Sequence, residues 1–249
     1  MLALVLALGF STQAPPAADP AAVYAELGLP VPAGKLPPLP ASFAPDAILP
    51  ETVRLNPDRF PVRAAVLDGV AALAAARKVA AKAELHESET TDKAKAKLVD
   101  LQEDIAAAML LLNEASAALA GADGKRERSK RWLAHRAYLS AAVALQAAHL
   151  DELNLAYGAV RSGRLPELKR DAGQTGWRLV PADKMLSKPA VRQQDEAARE
   201  QLDAVAKSYP NTPWAALATA DRATKPGLAW EPAAVKPPPP PAKGKKPKK

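Results

Sequence analysis

The side chains best equipped for chemistry in this 249-residue chain are three histidines, two adjacent carboxylate pairs and one dense run of arginine and lysine. His135 and His149 lie fourteen residues apart, on nearly one helix face but about 20 Å apart along it, too far to share a metal ion. His149 beside Asp151 and Glu152 has the composition of a carboxylate–imidazole site, and His86 among Glu84, Glu87 and Glu89 could hold a cation weakly. Di-metal bundles instead repeat Glu-x-x-His on two helices, a spacing that does not occur here. The three histidines are therefore expected to face solvent or the edge of a seam, with no metal and no cofactor. Neighbouring carboxylates diverge by about 100° on a helix, so neither Glu103-Asp104 nor Asp151-Glu152 forms a ready acid–base pair.

Nucleophile and phosphate motifs are missing too. No serine sits in a Gly-x-Ser-x-Gly elbow, and neither Gly-x-Gly-x-x-Gly nor Gly-x-x-x-x-Gly-Lys occurs. The chain has no cysteine, which excludes disulfides, thiolate catalysis and Cys-type zinc sites. These residues do not describe an enzyme.

The strongest local charge is Lys125, Arg126, Arg128, Lys130 and Arg131, followed by Arg136. Positive charge at a helix start opposes the macrodipole, so the cluster suggests an acidic partner, pairing with Glu and Asp of the preceding helix, or a solvated face. A second basic set, Lys243, Lys245, Lys246, Lys248 and Lys249, ends the chain. With Lys236 it supplies six of the net seven positive charges, leaving +1 for everything before it. Basicity is a property of the tail. Both sets are candidate partner-binding residues.

The elements that carry these residues are legible from proline. No proline occurs between Pro61 and Pro166, a stretch rich in alanine, while all 25 prolines crowd the flanks. Proline costs roughly 3 kcal/mol in a helix interior, so the gap predicts long helices. Pro61 suits a first turn, with Val66, Val70 and Leu73 following at helical spacing. Leu98, Leu101, Ile105, Leu112 and Leu119 make a heptad-like seam that stops at Gly121–Gly124. Leu139, Val143, Gln146, Leu150, Leu153, Tyr157 and Val160 make a third run, beginning near Lys125, ending at Ser162-Gly163 and spanning about 50 Å. Gln146 either fixes register or is tolerated at the seam's edge.

The cap-type residues Ser88, Thr90, Thr91 and Asp92 favour a break between the first two helices, against one unbroken helix from Pro61 to Ala120. Leu165–Pro189 reads as irregular, followed by helices at Val191–Ser208 and about Pro213–Ala223. The fold class expected is all-α: a long antiparallel helical hairpin or three-helix bundle with a small C-terminal helix pair, flanked by Pro-rich arms.

Four regions follow: residues 1–14 as a signal peptide, 15–60 as a Pro-rich extended arm, 61–232 as the helical domain and 233–249 as a disordered Pro/Lys tail. Leu2–Phe10 is an apolar run too short to cross a bilayer, and Ala14 closes a small-residue stretch like a cleavage site. No later segment is expected to span a membrane. The arm carries a short helix candidate at Ala21–Leu29 and apolar residues such as Leu39, Phe43 and Val53 that could lie along the helices.

The spacing of Ala198, Leu202, Val205 and Pro210, with Trp214 and Leu217 opening the next helix, resembles the second helix of a tetratricopeptide-type repeat. Such a pattern sets a small residue where two helices touch and a larger one in the gap. More widely, Ser129-Lys130-Arg131-Trp132, Pro166-Glu167-Leu168, Gly176-Trp177-Arg178-Leu179, Thr212-Pro213-Trp214 and Gly227-Leu228-Ala229-Trp230 resemble elements of uncharacterised, exported bacterial helical proteins. That resemblance implies fold and location, and no activity.

The function expected is a non-enzymatic helical scaffold or partner-binding protein of the bacterial cell envelope, exported or periplasmic. Its partners would be a protein or an anionic envelope surface met by the tail, or a second copy through the helical seams. The alternative is a nucleic-acid-associated protein binding through the lysine tail, although aromatic residues for base stacking are absent there.

Overall fold

The computed structural model describes residues 19–33, 36–84, 87–88 and 92–234. The proposed signal peptide, His86 and the tail lysines Lys243, Lys245, Lys246, Lys248 and Lys249 lie outside the described residues.

The chain is mostly helical, in keeping with the all-α class. Three long helices, α3 (Pro61–Glu84), α4 (Asp92–Gly121) and α5 (Lys130–Arg161), pack side by side, and α6 (Pro189–Ser208) with α7 (Pro213–Arg222) covers the other side of α5. Two short helices, α1 (Pro20–Glu26) and α2 (Pro50–Leu55), belong to the N-terminal arm. Helix α3 ends at Glu84 and α4 begins at Asp92, so the break falls where the cap-type residues stand.

Residue type explains the packing. All five α4 seam residues, from Leu98 to Leu119, are buried, and Ala108 and Ala115 complete the inward stripe. Gly69 of α3 lets the helices close up: a Cβ there would lie 3.3 Å from Leu119 Cδ1 and 3.7 Å from Leu139 Cδ1. Helix α5 is the axis of the molecule, with eighteen of its thirty-two residues buried, which is possible only because neighbours cover it on several sides.

Two expectations change. The third helix begins at Lys130 rather than near Lys125. Asp123 accepts from Lys125 N at 2.9 Å and caps a single 3-10 turn, Gly124–Arg126. Glu127 then bonds Arg63 and the Ser129 N–H, which holds the chain off helix until Ser129. The irregular stretch after Leu165 also contains a strand, β2 (Gly176–Ala182), which pairs antiparallel with β3 (Gly227–Ala233), and the two-residue β1 (Glu87–Ser88) pairs with the other edge of β2. Trp177 and Leu179 on β2 and Leu228 and Trp230 on β3 alternate inward and are buried. Trp230 Nε1 donates to the Ala156 carbonyl of α5 at 2.7 Å, which seats the sheet on the bundle.

The arm is only partly extended. Val23, Tyr24, Leu27, Leu39 and Val53 are buried against the helices, whereas Leu49 and Leu55 stay exposed. Asp19 accepts from Ala21 N, Pro20 opens α1, and Gly28, at φ +64°, turns the chain after Leu27.

Candidate functional site

The basic run at the start of α5 divides in two. Lys125, Arg126, Arg128 and Lys130 are exposed. Arg131 is not available to a partner: it is 1% exposed, and its Nε donates to Glu26 Oε2 at 2.7 Å while Nη1 donates to the Phe43 carbonyl at 3.0 Å. The acidic group it meets belongs to the arm, on α1, rather than to the preceding helix.

His135, one turn further on, is also a correction. It is 1% exposed, neither solvent-facing nor at a seam edge. Trp214 Nε1 donates to His135 Nδ1 at 3.2 Å, so the imidazole proton sits on Nε2 and is donated to Glu26 Oε2 at 2.8 Å. The rings of Phe43, Trp132, Tyr209 and Trp214 enclose this network. Burial pushes the His135 pKa down, more than the Glu26 carboxylate raises it, and Arg131 adds to the lowering. Burial works to raise Glu26, but the bonds from His135 and Arg131 prevail and hold its carboxyl below the ordinary value. A single carboxylate thus fastens the arm to two buried nitrogen bases.

The carboxylate–imidazole site does not assemble. Glu152 is fully buried and turned to the loop before α6, accepting from Ser187 N at 2.9 Å and from the Ser187 hydroxyl. Asp151 stays partly buried, and burial raises its carboxyl. Among the described residues, no group of three or more His, Asp or Glu side chains could hold a metal ion.

His149 instead lines a cleft of about 670 Å³ between α3, α5, α6 and the α7–β3 turn. This lies in the range of roughly 300–1,000 Å³ typical of small-molecule sites. Its walls are Ala80, Ala81, Ala142, Leu145, Pro181 and Leu228, and Gln146, Asp195, Arg199, Asp221 and Lys225 supply polar atoms. The acidic groups are already paired. Asp195 is held at both oxygens by Arg199, at 2.6 and 3.1 Å. Asp221 Oδ2 accepts from Tyr138 Oη at 2.8 Å and from Arg77 Nη2 at 3.0 Å. Burial and the Asp221 charge push the Tyr138 phenol far up, so it stays a donor. Gln146 Nε2 is different: it is buried and has no hydrogen-bond partner. Sequence reasoning marked Gln146 and His149 but missed Arg77, Tyr138 and Asp221, which come from three helices with no local signal; it also missed Asp195–Arg199, although their i, i+4 spacing is a local one.

One surface also stands out. The outward side of α4 carries Val99, Leu110 and Leu111, the last two 60% and 44% exposed, with exposed alanines at 106, 107, 117 and 118. Between Asp104 and Gly121 its one charged residue is Glu114. The stretch Leu98–Gly121 is long and apolar enough to cross a membrane by length and composition, and its inward stripe is packed against α3 and α5. This agrees with the expectation of no membrane-spanning segment.

Comparison with models of known protein families finds no match, and neither curated proteins nor solved structures give one.

Proposed function

We propose that this protein is a non-enzymatic helical scaffold of the bacterial cell envelope that works through the outward face of α4. The observation that carries the reading is that α4 shows apolar residues on both sides: one stripe is buried in the bundle, and the C-terminal half exposes Leu110 and Leu111 among alanines, beside Asn113 and Glu114. Contiguous exposed apolar surface rimmed by polar groups marks interaction sites. The N-terminal apolar run and the small residues through Ala14 support the location. The pairing of Asp195 and Asp221 with arginines favours binding over acid–base chemistry.

The occupant is a second copy of the chain. On α4 the ridge Ala106, Leu110, Ala117, Gly121 has its large residue between small ones. A two-fold axis near Asn113 sets Leu110 of one copy opposite Ala117 of the other, and Asn113 opposite Glu114, a donor facing an acceptor. That self-complementarity is what an isologous dimer needs.

Sedimentation velocity on the full chain should show a dimer, and Leu110→Glu with Leu111→Glu should give a monomer of unchanged helicity. Because the natural chain has no cysteine, Leu110→Cys mixed with Ala117→Cys should form a disulfide-linked heterodimer. A monomer at every concentration would defeat the reading. So would binding to anionic lipid vesicles that the same two leucines abolish, since the face would then belong to a membrane surface.

A further inference from the structure

We infer that the cleft beside α5 is a binding site for a small molecule with an apolar body and a carboxylate. The inference concerns a different part of the molecule from the α4 face and stands apart from it.

The argument is a balance of donors and acceptors. Both carboxylates in the cleft are occupied, Asp195 by Arg199 at two oxygens and Asp221 by Arg77 and Tyr138. A cationic ligand finds neither carboxylate unpaired. Donors remain. Gln146 Nε2 is buried without a partner, and an unmade hydrogen bond of that kind is roughly 1–3 kcal/mol unfavourable. Lys225 has three N–H donors, and its ion pair, to Asp183 at 3.2 Å, joins two well-exposed side chains. Within the lining Arg77, Arg199 and Lys225 stand against Asp195 and Asp221, and the anion that Lys225 meets, Asp183, lies outside it. The walls between these groups are alanine, leucine and proline. The complement of this surface is an acceptor, negatively charged, on an apolar body.

The same argument gives Gln146 a reason to exist. It interrupts a seam in which Leu139, Val143, Leu150, Leu153, Tyr157 and Val160 are all buried. A leucine would pack there without leaving a donor unmet. On this inference the glutamine gives up stability so that its amide can donate to the ligand, a trade met at binding sites.

Calorimetric titration of the full chain with sodium decanoate, decanol and decylamine tests this. Decanoate should bind saturably, about tenfold more tightly than decanol, and decylamine should not bind. N-acetyl-leucyl-leucine and its C-terminal amide separate a free acid from a peptide end as the source of the carboxylate; binding of the acid form alone supports the site. Gln146→Leu should melt at the same or a higher temperature while binding decanoate about tenfold more weakly. Gln146→Glu, of the same shape, should lose decanoate. Lys225→Ala should weaken binding several-fold and flatten its salt dependence. Equal binding of decylamine, decanoate binding untouched by either Gln146 variant, or no saturable binding of either carboxylate would overturn the inference.

Discussion

Glu26 ties the N-terminal arm to two buried side chains of α5. It lies on a seven-residue helix that could not stand alone, and its Oε2 receives both Arg131 Nε and His135 Nε2. Glu26→Gln removes the counter-charge from an arginine that is 1% exposed and has one Nη already unpartnered. Urea unfolding should show a loss of about 2 kcal/mol, within the range for a charged hydrogen bond and below that of a fully buried pair because Glu26 is one-third exposed. Acid acts in the same direction. The folded His135 sits below its ordinary value, so the unfolded chain binds that proton first, and stability falls as pH drops below about 6.5. Glu26 is also lowered, so its contribution, present above about 4.5, is lost below that pH. Hydrogen exchange across Val23–Leu27 should accelerate in both windows, and His135→Gln should remove the upper one. An arm that stays protected at pH 4 would contradict this account. Sequence alone could not find the network, because Glu26 lies 105 and 109 residues from the two side chains it joins.

At the scale of elements, legibility followed chain-local physics. The proline-free block, the seams and the Gly121–Gly124 turn are set by neighbours in sequence, and they match α3, α4 and α5. Helices α6 and α7 start within two residues of where proline and capping placed them, with Thr212 bonding Ala215 N as an N-cap. The sheet was missed because Pro181 and Pro232 sit inside its strands and argue locally against them. The inward alternation is only two residues long on each strand, and pairing joins positions some fifty residues apart. What holds the strand entry is contact that only the folded chain reveals. A Cβ on Gly227 would lie 2.0 Å from the Lys184 carbonyl oxygen and 2.5 Å from its carbon, both backbone atoms that cannot swing aside. Gly227→Ala should therefore destabilise by at least about 2 kcal/mol, with loss of the near-UV circular dichroism of Trp177 and Trp230. Gly158 of α5 is the matched control: a Cβ there meets nothing within 4 Å. Gly158→Ala should stabilise by about 0.5–1 kcal/mol, the usual helix gain. Equal effects at the two glycines would show that propensity, not the Lys184 contact, governs β3.

At the scale of the whole molecule, α5 decides what can fold alone. The sequence presents the antiparallel hairpin from Leu98 to Ser162 as the secure unit, since its seams and short turn are local. The structure makes α5 common property: α3 and α4 cover part of it, α6, α7 and β3 cover the rest, and Arg77–Asp221 with Tyr138 ties α3 to α7 around it. Trp214 and Trp230 reach α5 from the C-terminal half, at His135 and at the Ala156 carbonyl. A fragment of residues 61–163 would keep every residue of the predicted hairpin yet strip one side of α5, exposing apolar side chains at about 25 cal/mol per Å². It should be helical by far-UV circular dichroism but bind a hydrophobic dye and unfold without a sharp transition, the marks of a collapsed chain lacking fixed packing. The full chain should unfold in one transition seen alike by tryptophan fluorescence and far-UV dichroism, because no boundary separates a core of α3–α5 from one of α5–β3. Two separated transitions in the full chain, or a fragment that melts sharply without binding dye, would mean that the halves are independent. The shared helix would then be a linker, and Glu26, the cleft and the α4 face could no longer be expected to respond to one another. With one cooperative core, a loss at any of the three lowers the stability of the same fold.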